Sequence, residues 1–87
     1  MASYKVILKP SFEKDLRSIP KSVITRVINS LDLLPENPFP RQALKLEGGG
    51  QLYRVRVGDY RIVYGVNQQA KQVLVHYVRH RREAYRK

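Results

Sequence analysis

The sequence predicts an α+β domain in which two N-terminal helices pack on an antiparallel sheet, in the order β-α-α-β-β-β. Three features predict it. Residues 20–34 carry apolar side chains three and four apart, the period of a helix with one buried stripe. Beyond residue 50 the chain falls into three alternating or β-branched runs separated by turn-forming residues, the period of strands. The chain has 87 residues, room for one core of two packed layers and a single domain.

The elements follow in order. Tyr4 to Lys9 is a β-branched and apolar run ended by Pro10, and reads as the first strand. Ser11 is placed to cap a short helix from Phe12, with Glu13 and Asp15 in the first turn, where the helix dipole favours negative charge. Ile19-Pro20 ends it. The second helix runs from Pro20 to Leu34, with Val23, Ile24, Val27, Ile28, Leu31 and Leu34 on its buried stripe, and Pro35 closes it. Pro35, Pro38 and Pro40 make the next segment a loop, because proline fixes φ and removes a donor. Ala43 to Glu47 and Gly48-Gly49-Gly50 lead into the sheet. No Lys-Ser/Thr pair follows these glycines, so they are not a phosphate-binding loop. Strands are expected at about Gln51–Val57, Tyr60–Asn67 and Gln72–Val78, and Arg79 to Lys87 is expected to leave the sheet as a basic tail.

Val57-Gly58-Asp59-Tyr60 is consistent with a two-residue type II′ turn, which places glycine first. That turn fixes the register of the hairpin. Val57 opposes Tyr60, Val55 opposes Ile62 and Tyr53 opposes Tyr64, six apolar or aromatic residues for the core face. On the other face Arg56 opposes Arg61 and Arg54 opposes Val63. Like charges directly opposite across a strand pair repel by up to about 1 kcal/mol, so an anion between Arg56 and Arg61 would relieve a cost that the fold otherwise carries. Guanidinium forks suit phosphate. Pairing of Asn67 with Gln72 would add His76 and Val78 to that face, with Arg79, His80, Arg81, Arg82 and Tyr85 emerging beside it. Aromatic and guanidinium planes suit unstacked RNA bases. Because Arg61 faces outward, its replacement by alanine is expected to leave folding nearly intact.

Composition narrows the chemistry. Hydrophobic residues make up 43% and charged ones 28% of the chain, as in folded domains. With no cysteine there is no disulfide, thiolate metal site or cysteine nucleophile. Asp59 and Glu83 are the only carboxylates after Glu47, too few for a two-metal site, and no metal or other cofactor is expected. The N-terminal residues lack the pattern of a signal peptide, and the apolar runs are too short to cross a bilayer, so a cytoplasmic protein without membrane contact is expected. Seventeen Lys+Arg against seven Asp+Glu give a net charge of +10. Residues 1–50 carry eight basic and five acidic residues, residues 51–87 nine basic and two acidic. Excess charge gathered in one half marks a polyanion-binding surface.

Ala43-Leu44-Lys45-Leu46, the stretch from Leu52 to Tyr64 (LYRVRVGDYRIVY) and the run from Val78 to Arg86 (VRHRREAYR) resemble the RelE branch of the RelE/ParE toxin superfamily over nearly the whole chain. The resemblance implies the RelE-like fold and a prokaryotic type II toxin, a ribosome-dependent endoribonuclease that cleaves mRNA. It also implies a cognate RelB-like antitoxin as partner, besides ribosome and mRNA. The family's catalytic positions fall on Arg54 and Arg56, on Arg61, on the basic pair His80 and Arg81, and on Tyr85, with Lys45, Arg79, Arg82 and Arg86 as further RNA contacts. Several members have lysines where this chain has Arg54 and Arg56, and the tail is shorter between Arg81 and Tyr85 than in some. The implied reaction is attack of a ribose 2′-hydroxyl on the adjacent phosphorus. Arginine is a poor base, which leaves His80 or Tyr85 to accept the proton. The same fold also carries ParE-like inhibitors of DNA gyrase, and a basic binding module without catalysis is the third alternative.

Overall fold

The computed structural model describes residues 3–46 and 51–80. Strand β1 (Lys5–Leu8) is followed by helices α1 (Pro10–Leu16) and α2 (Lys21–Leu31), then by β2 (Leu44–Lys45), β3 (Leu52–Val57), β4 (Tyr60–Asn67) and β5 (Gln72–His80). The five strands form one sheet in the order β1-β5-β4-β3-β2. Antiparallel pairing joins β2 to β5 in succession, while β1 runs parallel to β5. The α+β class and the helix-on-sheet layering hold. Two details differ from expectation: the sheet has an additional two-residue edge strand, β2, and one of its edges is parallel.

Pro10 is the first residue of α1, a position where its missing N–H costs nothing. Ser11 therefore does not cap the helix. Its hydroxyl donates instead to the His76 carbonyl, and the Lys9 N–H donates to the Val75 carbonyl at 3.0 Å. Together these continue the β5 edge where β1 has ended, and they hold α1 beside β5. Pro20 stands just before α2, and the helix closes at Leu31, short of Pro35.

One face of the sheet carries the core. Val55, Val57, Ile62, Tyr64, Val66, Val73, Val75 and Val78 meet Phe12 of α1 and Val27 and Leu31 of α2, all buried. Ile28, at the margin of the helix stripe, is 37% exposed. Tyr64 is fully buried, and its hydroxyl donates to the Pro38 carbonyl at 2.8 Å. Burial lifts its phenol to a pKa of about 12, with a further contribution from Tyr53. Tyr53 stacks on Tyr64 and meets the Phe39 ring edge-on, so the proline-rich loop is fixed by aromatic packing.

Candidate nucleic-acid interface

The hairpin has the register that its turn dictates. Gly58 adopts φ +60°, as the first central residue of a type II′ turn requires, and Val57↔Tyr60, Val55↔Ile62, Tyr53↔Tyr64, Arg56↔Arg61 and Arg54↔Val63 are all paired. The Arg26 guanidinium of α2 lies against the turn, with Nη1 3.1 Å from where a β-carbon on Gly58 would stand.

On the face away from the helices, Arg61 is flanked on both sides. Arg56 opposes it from β3, and Arg79 opposes it from β5. Three arginines thus form a row across β3, β4 and β5, with adjacent Cα atoms about 4.5–5.5 Å apart. The next row holds Arg54, Val63 and Tyr77. Arg79 lays its guanidinium over the Tyr77 ring, 4.2 Å from the centroid, and its Nε lies 3.4 Å from Asp15 Oδ2 of α1.

Arg61 faces outward and is nevertheless only 7% exposed, which corrects the expectation that an outward residue here is dispensable to folding. β4 is the middle strand of the five, so long side chains on both neighbouring strands cover it. Val63, beside it on the same face, is likewise buried and lies outside the helix-side core.

A bulge in β5 decides which tail residues join the row. Asn67 pairs with Gln72 as expected, but Tyr64 pairs with Val75 while Val63 pairs with Tyr77, leaving His76 as an extra residue. Beyond it the alternation reverses. Val78 therefore turns into the core and is 1% exposed, contrary to its expected place on the arginine face. Arg79 and His80 belong to β5 rather than to a departing tail. Arg79 takes the outer face, and His80, opposite Tyr60, stacks edge-on against that ring on the helix side. The sequence carries a trace of this, because the buried valines 73, 75 and 78 are spaced by two and then by three. His76 does reach the arginine face, with Nε2 3.3 Å from where a β-carbon on Gly65 would stand. Burial holds its pKa below the usual imidazole value, and Lys9 adds to the effect.

Of the remaining expected site residues, Lys45 pairs with Tyr53 and so shares the helix-side face, away from the row. Arg81, Arg82, Tyr85 and Arg86 lie outside the described residues.

Residues 6–85 match the family described as the ParE toxin of the type II toxin–antitoxin system parDE. The chain belongs to the RelE/ParE superfamily of type II toxins. Toxin RelE3 of Methanocaldococcus jannaschii is 32% identical over 88 residues, covering 93% of this toxin and 94% of that one. The archaeal RelE–RelB complex of Pyrococcus horikoshii contains a chain with 37% identity and a TM-score of 0.81, covering 91% of this toxin and 96% of that chain. The RelB–RelE complex of Methanococcus jannaschii gives 27% identity and a TM-score of 0.76, over 91% of this toxin and 94% of that chain. The toxin's two helices on a mostly antiparallel five-stranded sheet are therefore the RelE architecture.

Proposed function

We propose that this toxin is a ribosome-dependent endoribonuclease that cleaves mRNA at a phosphate held by the arginine row. The observation that carries this reading is the alignment of Arg56, Arg61 and Arg79 across three adjacent strands. The 2′-hydroxyl attacks phosphorus, the 5′-oxygen departs, and a 2′,3′-cyclic phosphate remains. Negative charge gathers on the phosphoryl oxygens in the transition state, where fixed guanidinium groups stabilise it. Arg54, one row along, is assigned to the neighbouring backbone.

The proton acceptor is assigned to Tyr85. His80 stacks on Tyr60 on the opposite face, which disfavours it. His76 lies beside Gly65, four residues along β4 from Arg61, a strand length of about 13 Å. Arg81, Arg82 and Arg86 are proposed RNA contacts; Lys45, on the helix side, has less support. The ribosome would hold the mRNA in attack geometry, supplying the orientation that such sparse acid–base equipment lacks.

An acidic RelB-like antitoxin is the proposed partner, and the RelE–RelB complexes among the toxin's relatives support it. A partly disordered acidic segment that folds on binding would suit the +10 surface. A cytoplasmic site of action follows from this reading.

The family match to ParE toxins favours one competing reading, inhibition of DNA gyrase without cleavage. Primer extension on transcripts in a translation extract separates the two. Cuts within ribosome-bound codons are expected. Intact mRNA together with blocked DNA supercoiling would replace this reading with the gyrase one.

A further inference from the structure

The arginine row does not stop at β5. Across the same level lie Arg56, Arg61 and Arg79, and then, from α1, the carboxylate of Asp15, whose Oδ2 is 3.4 Å from Arg79 Nε. Asp15 reaches this place because α1 is held along the β5 edge through Lys9 and Ser11. Arg79 is therefore restrained twice. Its Nε lies 3.4 Å from a carboxylate oxygen, an ion pair without hydrogen-bond geometry, and one face of its guanidinium lies on the Tyr77 ring. Among the described residues, those two contacts leave the two terminal nitrogens as the edge available to an anion, and the ring contact restrains the plane in which that edge lies. Arg79 needs such restraint, because its side chain is 43% exposed, whereas Arg61 is held by its burial.

We propose that Asp15 is a positioning residue for Arg79, orienting its guanidinium so that the terminal nitrogens meet the scissile phosphate. This rests on the endoribonuclease reading. Asp15 touches no substrate; it acts through Arg79. A carboxylate beside an arginine also withdraws some positive charge from the site. The positioning role therefore predicts that removing it slows the reaction, while a merely neutralising role predicts that removal speeds it. Orientation is worth more than charge where the geometry of attack limits the rate, and the two effects differ in sign.

Asp15→Asn keeps the shape of the side chain and removes the charge. In the ribosome cleavage assay kcat is expected to fall about three- to tenfold with KM unchanged, because docking to the ribosome does not pass through this pair. Asp15→Glu, which restores a carboxylate, is expected to recover part of the loss. In an Arg79→Ala background Asp15→Asn should have no further effect, since coupling exists only while both partners are present. Separately, the NMR signal of the Arg79 side chain in the free toxin should lose order in Asp15→Asn. Unchanged or faster cleavage by Asp15→Asn, or an equal loss in the Arg79→Ala background, would overturn the proposal. If the unsubstituted toxin cuts no mRNA, the endoribonuclease reading fails. The NMR signal then decides the positioning by itself: loss of order in Asp15→Asn upholds it, and persistence overturns it.

Discussion

Replacing Arg61 by alanine and, separately, by methionine divides its packing from its charge. The side chain is only 7% exposed at the centre of the sheet's outer face, between Arg56 and Arg79. Alanine keeps the β-carbon and deletes two buried methylenes with the guanidinium. At about 0.8 kcal/mol per buried methylene, with a further contribution from the space left behind, the expected loss is about 1.5–2.5 kcal/mol. For a domain of this size that lowers Tm by roughly 6–20 °C. Methionine, an unbranched chain of similar reach, retains most of the packing and should recover more than half of that loss. Both variants remove the charge, so both should cleave ribosome-bound mRNA about 10²–10³-fold more slowly, as for loss of one transition-state donor. Calorimetry and single-turnover cleavage measure the two effects. Equal destabilisation by alanine and methionine would show that the buried stem is not what holds this strand. Cleavage by the methionine variant at the unsubstituted rate would refute the phosphate clamp.

Gly58→Ala should destabilise by about 1–2 kcal/mol in denaturant titrations, because φ is +60° and the Arg26 guanidinium crowds the new β-carbon. Tyr64→Phe should cost about 1–3 kcal/mol by orphaning the buried Pro38 carbonyl. The Tyr64 phenol rises from 10.0 to about 12 on folding, so its contribution is complete below pH 10 and lost as pH climbs toward 12; thermal melts across that range should show a steeper decline than melts of Tyr64→Phe. His76 shifts the other way. Its pKa in the folded state lies below 6.5, so its contribution is complete above pH 6.5 and lost as pH falls through the lowered value. A His76→Gln variant should flatten the acid side of the stability profile.

The parts of this fold legible in the sequence are those set by local chemistry. Gly58 at the first turn position fixed a register that placed six residues inside and Arg56 opposite Arg61, and every one of those pairs is present. The helix stripe was legible because Val27, Leu31 and Leu34 recur with the helical period and are buried. What could not be read depends on distant partners. Leu44–Lys45 becomes a strand only because β3 offers it an edge, and β1 comes to lie beside β5 because α1 and α2 carry the chain across to the opposite edge, β2, from which the antiparallel strands work back. The burial of Arg61 depends on what flanks β4 on both sides, and an alternating pattern gives only the direction of a side chain.

The bulge at His76 is where this limit touches function. Strict alternation from Gln72 would send Val78 and His80 outward and turn Arg79 toward the helices. Such a strand would leave an apolar side chain in the arginine row and a guanidinium in the core, where an unpaired charge is costly. One extra residue reverses both placements. It seats Val78 among the buried valines and delivers Arg79 to the level of Arg61. The same shift carries His80 across to Tyr60, leaving the row rich in charge and without an imidazole at its level. Core packing and the proposed anion site thus make the same demand on β5, since the bulge that satisfies the valines is also the one that completes the row. The division of labour in the proposed reaction follows. The sheet supplies fixed positive charge, and proton transfer falls to the chain beyond His80.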